Sequence, residues 1–172
     1  MTIILASGSA SRRAMLEAAG VTFEVVRPQV DEDAAKDALK AEGIDARGLA
    51  DALADGTTLD KPETRERAAD ELRLMRGGTH RLVSAVVGAR DGQAVWRHVD
   101  TAKLHVRDFS DKFLEAYLDV EWPAIAGCVG CFRIEGPGVQ LFSKVEGSQF
   151  TILGMPLMPL LGWLRDTGEM LS

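Results

Sequence analysis

The sequence predicts an α/β fold, a mixed twisted sheet with helices on both sides and two lobes around a cleft. Three observations carry this. Apolar runs of strand length alternate with segments of helical period, without the strict strand-helix-strand rhythm of a wholly parallel sheet. The first run, "IILA", hands over to a helix through a turn of small residues. Farther on, "HRLVSAVVGA" and "AVWRHVDTAKLHV" flank "RDGQ", the pattern of a β-hairpin with Asp91-Gly92 in its turn.

Taken in order, "IILA" reads as a buried strand. Ser9 or Ser11 caps a helix that runs to Ala19, and Gly20 stops it. "VTFEV" alternates Val21, Phe23 and Val25, a half-buried strand. "RPQVDEDA" is a loop with three acids, Asp31, Glu32 and Asp33, and residues 33–54 read as two short helices broken at Gly43. "DGTTLDKP" is a turn whose Pro62 fits the start of a strong helix, "ETRERAADELRLMR", closed by Gly77 and Gly78. After the hairpin, "SDKFLEAYLD" is a helix capped by Ser110. "GCVGCFRIEGPGVQLFSKVEG" suggests two strands around Gly136-Pro137-Gly138, and "MPLMPLLGWLRDTG" is a closing amphipathic helix. No internal repeat or low-complexity tract interrupts the pattern.

A length of 172 residues fits one domain, 1–172, in two lobes. Hydrophobic content of 46% with 27% charged residues describes a soluble globular chain. The net charge of −6 argues against a nucleic-acid-coating surface, while a local basic pocket could still hold a small polyanion. No apolar run reaches membrane-spanning length, and "TIILA" is too short for the core of a signal peptide. Cytoplasm is the expected compartment.

Cys128 and Cys131 form one C-x-x-C, half the ligand set of a structural zinc site, with no histidine nearby to complete it. Their flanks look like buried strand, so buried free thiols are expected ahead of a redox pair or a metal. His80 is expected to pack or hydrogen-bond, and His98 and His105 have no ligand spacing. Trp96, Trp122 and Trp163 read as core or interface residues.

The chemistry gathers at "LASGSASRRAML". A helix N-terminus presents unpaired N–H groups and partial positive charge, which suits phosphate. Gly8 lets a ligand approach the backbone, Ser7 and Ser9 can donate, and Arg12 and Arg13 can fork onto phosphate oxygens. Helix capping alone accounts for the serines equally well, because the spacing is not that of a P-loop.

"LASGSASRRAMLEAAGVTFEVVRPQVDE" resembles the opening of the Maf family of nucleoside triphosphate pyrophosphatases. "DKPETRERAADELRLMRGGTHRLVSAVV", "GCVGCFRIEGPGVQLFSKVEG" and "LGMPLMPLL" are similar to later stretches of the same family, in order along nearly the whole chain. The resemblance implies an inosine-triphosphatase-like fold and hydrolysis of a nucleoside triphosphate to the monophosphate and pyrophosphate. It also implies a divalent metal, Mg²⁺ or alternatively Mn²⁺, a cytoplasmic enzyme, and a homodimer with no nucleic-acid or membrane partner.

By matching position, Ser7, Ser9, Arg12 and Arg13 would bind substrate, Glu32 would sit at the metal, and Lys61 of "DKP" would offset phosphate charge. Arg12 and Lys61 are the expected catalytic cations. Ser11 and Glu135 stand where the family distinguishes bases. A carboxylate at Glu135 can accept from guanine N1–H and N2–H together, so the resemblance leans towards 7-methyl-GTP over dTTP or UTP.

One part of the family pattern is missing. The strand expected before "KP", with the aspartate proposed as general base, has no counterpart here, a shortfall of roughly 25–30 residues near Ala54 and Asp55. Either the segment is deleted, or residues have been skipped across that junction. The second account is favoured, because losing a central strand would expose unpaired sheet edges. No other residue is offered as the base. A true deletion would favour a nucleotide-binding regulator without turnover, related to cell division.

Overall fold

The computed structural model describes residues 2–26, 52–53, 59 and 61–171. It divides into two units, the first formed by Met1–Ala46, Val83–Asp100 and Ser148–Ser172, the second by Arg47–Leu82 and Thr101–Gly147.

In the first unit, β1 (Ile3–Leu5) and β2 (Phe23–Val25) pair in parallel, with Ile3 opposite Phe23 and Leu5 opposite Val25. Parallel strands need a crossover, and α1 (Ala10–Ala18) supplies it. Ser9 caps α1: its backbone is extended and its hydroxyl accepts from the Arg12 N–H. Gly20, in the left-handed region at a φ of 71°, ends the helical path.

Met15 and Leu16 of α1 and Val21 meet the apolar face of α5 (Leu157–Asp166), which brings Leu157, Leu160, Leu161 and Leu164. The short α4 (Gln149–Ile152) precedes it. The residues of one α5 face recur at positions 157, 160, 161 and 164, the spacing of an amphipathic helix.

The hairpin forms as expected, from β4 (Thr79–Arg90) and β5 (Gln93–Val106). Asp91 and Gly92 both have positive φ, 52° and 77°, which is the two-residue turn that matches strand twist. Its outer part lies in the first unit. There the Ser84 hydroxyl donates to the Thr151 carbonyl at 2.7 Å, and the Thr151 hydroxyl donates to Asp100 at 2.7 Å. Trp96 stacks on Trp163 with ring centroids 5.2 Å apart, so these two tryptophans are packing residues.

The second unit is built on α2 (Arg65–Met75) and α3 (Asp111–Glu121), capped by Thr64 and Ser110. α2 packs on α3, and both bury one face, with Ala68, Ala69, Leu72 and Met75 from one and Leu114, Tyr117 and Leu118 from the other. Arg65 reinforces the pair at the surface, donating to Glu115 at 3.0 Å and Asp119 at 2.6 Å. β6 (Phe142–Glu146) runs antiparallel to β5, with Lys103 opposite Glu146. Together with β3 (Ala52–Leu53), these strands form a sheet in the order β3-β4-β5-β6.

The α/β architecture stands, with its ladders divided between two sheets, β1-β2 parallel and β3-β4-β5-β6 antiparallel in its β3-β4 and β5-β6 pairings. Four local expectations change. Ala52-Leu53, read inside a helix, pairs with Arg81 and His80 instead; residues 33–51 and 54 lie outside the described residues. The flanks of the cysteines are not strand: Ala124–Gly127 is a 3-10 turn, and Gly130 and Cys131 have positive φ, 76° and 59°, which a ladder does not accommodate. Pro137–Leu141 is likewise a 3-10 turn rather than the start of a strand, since proline sits at its first position without an N–H to donate.

The fourth change concerns β1. Read as buried, it covers Ile3 and Leu5 only partly and leaves Ile4 57% exposed. A strand flanked on both edges and covered on both faces would hide all three.

Candidate functional site

The turn between β1 and α1 brings Ser7, Ser9 and Arg12 together. The Arg12 Nη1 donates to Ser7 Oγ at 3.1 Å, and the Ser9 N–H donates to the same oxygen at 3.3 Å. Ser9 Oγ accepts from the Arg12 N–H at 3.4 Å. Both hydroxyls act here as acceptors, which leaves each its own O–H to donate to an anion. Ser7 is buried and Arg12 half-buried, so the cation is screened less than one in open water.

Arg12 is held from the other side as well. Its Nε donates to the carbonyl of Gly154 at 2.9 Å. Gly154 follows α4 with a φ of 95°, a conformation that favours glycine and that turns the chain after α4 back towards Arg12. The sequence around Gly154, "LGMP", does not by itself reveal this contact. Its signal was a glycine just after a helix and two residues before a proline, which marks a turn and not its target.

Arg13 points elsewhere. Its Nε pairs with Glu17 at 2.7 Å on the exposed face of α1, an i,i+4 pair that raises the guanidinium pKa through that hydrogen bond. Ser11 is exposed on α1. Glu32 lies outside the described residues, as does the 54–55 junction.

Lys61 and Glu135 belong to the second unit, where both are exposed at the residue level. They share an electrostatic neighbourhood with Glu121, Cys128 and Arg133. Burial first, then Glu135 and Glu121, push the Cys128 thiol up, while Arg133 and Lys61 pull it down. Arg133 grips Glu121 through two parallel bonds, Nε to Oε2 at 2.9 Å and Nη2 to Oε1 at 2.8 Å. Glu121 is 1% exposed and Arg133 stands at the surface end of the pair. This ion pair fixes the segment that presents Glu135, two residues beyond Arg133. It was invisible beforehand because Glu121 reads as an ordinary acid at the end of a helix.

The cysteines behave as structural thiols. Cys131 is buried, donates from Sγ to Glu71 Oε2 at 3.2 Å, and has its pKa raised by burial first and then by that carboxylate. Reactive thiols need the opposite shift. Among the described residues no group of three or more histidine, cysteine or acidic side chains could hold a metal ion.

His80 is fully buried, edge-on to Phe132 with centroids 6.0 Å apart, and neither ring nitrogen has a hydrogen-bond partner among the described residues. Among the described residues it packs and makes no hydrogen bond. His98 stacks on Trp96, and His105 Nε2 lies 2.6 Å from Glu146 Oε1.

A parallel β-α-β start with an arginine held beside two serines at the helix N-terminus is the geometry this α/β protein presents at the turn. The family is settled by comparison. The chain belongs to the Maf-like protein family, whose model matches residues 2–167. It is 47% identical to a nucleoside triphosphate pyrophosphatase of Sphingopyxis alaskensis, over 98% of each chain. Proteins of the same name from Granulibacter bethesdensis and Caulobacter vibrioides are 45% and 44% identical, over 96% and 98% of this chain and 97% and 96% of theirs.

These alignments also measure the shortfall. The first extends over 194 positions against a chain of 172 residues, so at least 22 positions hold a residue in the relative and none here. Because coverage is 98% on both sides, those positions lie mostly inside the chain and not at its ends.

Proposed function

We propose that this chain, acting as one domain, hydrolyses a nucleoside triphosphate to the monophosphate and pyrophosphate. The observation that carries the reading is Arg12, fixed between Ser7 and Gly154 at the N-terminus of α1, where triphosphate oxygens would meet a cation, two hydroxyls and helix N–H groups. The names of the relatives, which match this chain nearly end to end, point the same way.

In this reading water attacks the α-phosphorus, the bond from it to the bridging oxygen breaks, and pyrophosphate leaves with the electron pair. Arg12 and Lys61 stabilise the charge that develops, Ser7 and Ser9 orient the phosphates, and Arg13 supplies longer-range attraction from the surface. A divalent ion, Mg²⁺ or Mn²⁺, would neutralise triphosphate charge when bound, with Glu32 as its candidate ligand. Glu135, carried on the segment anchored by Arg133 and Glu121, and Ser11 are the candidate specificity residues. Glu135 favours 7-methyl-GTP over dTTP and UTP, because one carboxylate can accept both guanine edge donors, while Ser11 fits neither subfamily's pattern. The working form is a cytoplasmic homodimer.

The test is pyrophosphate release from 7-methyl-GTP, dTTP and UTP with Mg²⁺ present. Arg12→Ala should lower turnover at least about 100-fold, the scale of losing one preorganised charge-stabilising group. Unchanged turnover in that variant would remove Arg12 from the site.

A second reading is favoured by one observation, the 22 or more positions that relatives fill and this chain does not. If they include the group that activates water, the chain binds nucleotides without turning them over. Nucleotide binding with no pyrophosphate released from any of the three substrates would establish it.

A further inference from the structure

The short helix α4 (Gln149–Ile152) is a single turn, too little to hold its shape alone, so its geometry in the first unit is imposed by what it touches. Phe150 on the helix, and Leu153 and Met155 just after it, join the apolar cluster of α1 and α5. Thr151, on the same helix, is polar and yet fully buried.

Thr151 is the junction of a hydrogen-bond chain that begins on the hairpin and ends on Arg12. Its hydroxyl donates to Asp100 Oδ2 on β5 at 2.7 Å. Its carbonyl accepts from the Ser84 hydroxyl on β4 at 2.7 Å and from the Gly154 N–H at 3.0 Å, which engages both lone pairs of that oxygen. The Gly154 carbonyl in turn accepts from Arg12 Nε at 2.9 Å. Every member of the chain lies in the first unit.

An apolar side chain at 151 would be enough to bury the helix against its cluster, because apolar burial has no direction. Buried hydrogen bonds do have direction and are costly to leave unmade, so a satisfied network selects one geometry among several of similar packing. Arg13 provides the contrast. Its Nε pairs with Glu17 on its own helix at 2.7 Å, a partner that needs nothing outside α1.

We infer that Ser84, Thr151 and Asp100 are positioning residues for Arg12: they fix the Gly154 carbonyl, and that carbonyl aims the guanidinium at the turn beside Ser7. The use of that aimed charge on a triphosphate rests on the pyrophosphatase reading; the aiming itself does not.

The experiment measures solvent exchange of the arginine Nε–H groups by heteronuclear NMR in the full chain, comparing the parent with Thr151→Val, Ser84→Ala and Thr151→Ser. The first two should speed Arg12 Nε–H exchange about 2- to 10-fold, the scale of one lost hydrogen bond, and leave Arg13 Nε–H unchanged. Thr151→Ser keeps the hydroxyl and should match the parent. If Thr151→Val fails to fold, Ser84→Ala, which cuts the same chain from the hairpin side, decides the matter. Where the chain turns over substrate, Thr151→Val should lower kcat for pyrophosphate release in the parent and add no further loss in Arg12→Ala, since residues acting through one group are not additive.

Four results overturn the inference. They are parent-like Arg12 exchange in folded Thr151→Val or Ser84→Ala; equal acceleration of Arg12 and Arg13, which marks general loosening; Thr151→Ser behaving like Thr151→Val; or a further loss of turnover from Thr151→Val in the Arg12→Ala background. Turnover unaffected by Arg12→Ala defeats Arg12's role in the pyrophosphatase reading alone, because the Nε–H exchange still decides the positioning.

Discussion

Replacing His80 by leucine isolates what a buried imidazole, without a hydrogen-bond partner among the described residues, does to the stability of this protein. Burial lowers the His80 pKa from 6.5 to about 4, because the charged ring would be taken out of water. Below pH 6.5 the unfolded chain therefore takes up a proton that the folded chain refuses. The folded state keeps this share of its stability above about pH 6.5, loses it steadily down to about 4, and loses no more below that. A gap from 6.5 to about 4, at 1.36 kcal/mol per pH unit, amounts to about 3 kcal/mol in total and about 2 kcal/mol by pH 5.

His80→Leu removes the titration and two nitrogens that find no partner among the described residues and places an apolar side chain there, so at neutral pH it should be neutral or slightly stabilising. The assay is urea unfolding of both proteins at steps from above pH 6.5 to about 4. The difference between them should widen by about 3 kcal/mol in favour of the variant. Other acid-sensitive contacts cancel in that difference. Glu146, held at about 2 first by Lys144 and then by His105, destabilises both proteins alike as pH falls towards its own range. Parallel stability curves for the two proteins would refute the reasoning.

Two further outcomes follow from the geometry and the alignments. In Gly138→Ala the new methyl would sit 2.5 Å from the Arg133 carbonyl oxygen and 2.8 Å from its nitrogen, both backbone atoms. Loss of about 1–3 kcal/mol is expected, with weakened base selectivity, because Arg133 carries the segment of Glu135; a urea midpoint equal to the parent's contradicts this. The intact mass of the purified polypeptide should be near 18.6 kDa if the missing segment is truly deleted, and heavier by 22 or more residues if it was skipped.

Much of the fold was legible because local rules decide it. Ser110 caps its helix as its spacing announced, Ser9 is the one of two candidate serines that caps α1, and Asp91-Gly92 forms the expected turn, while α2 starts at Arg65 with Thr64 as its cap and not at Pro62. The apolar face of α5 was legible from its period, and the Ser9 cap of α1 from the small residues before it. Each of these features depends on residues within a few positions of one another.

What the sequence left open depends on distant partners. Arg12 and Arg13 are neighbours with equal credentials, yet Arg12 meets a carbonyl 142 residues away while Arg13 pairs outward with Glu17. Nothing local distinguishes Glu121 from the other helix acids, until Arg133 closes on it. Gly-rich stretches around the cysteines mimic apolar strands, because periodicity does not register the positive φ that diverts them. The exposure of Ile4 is decided in the same way. A strand's own residues specify its pleat, but only the tertiary structure determines whether a neighbour lies along each edge.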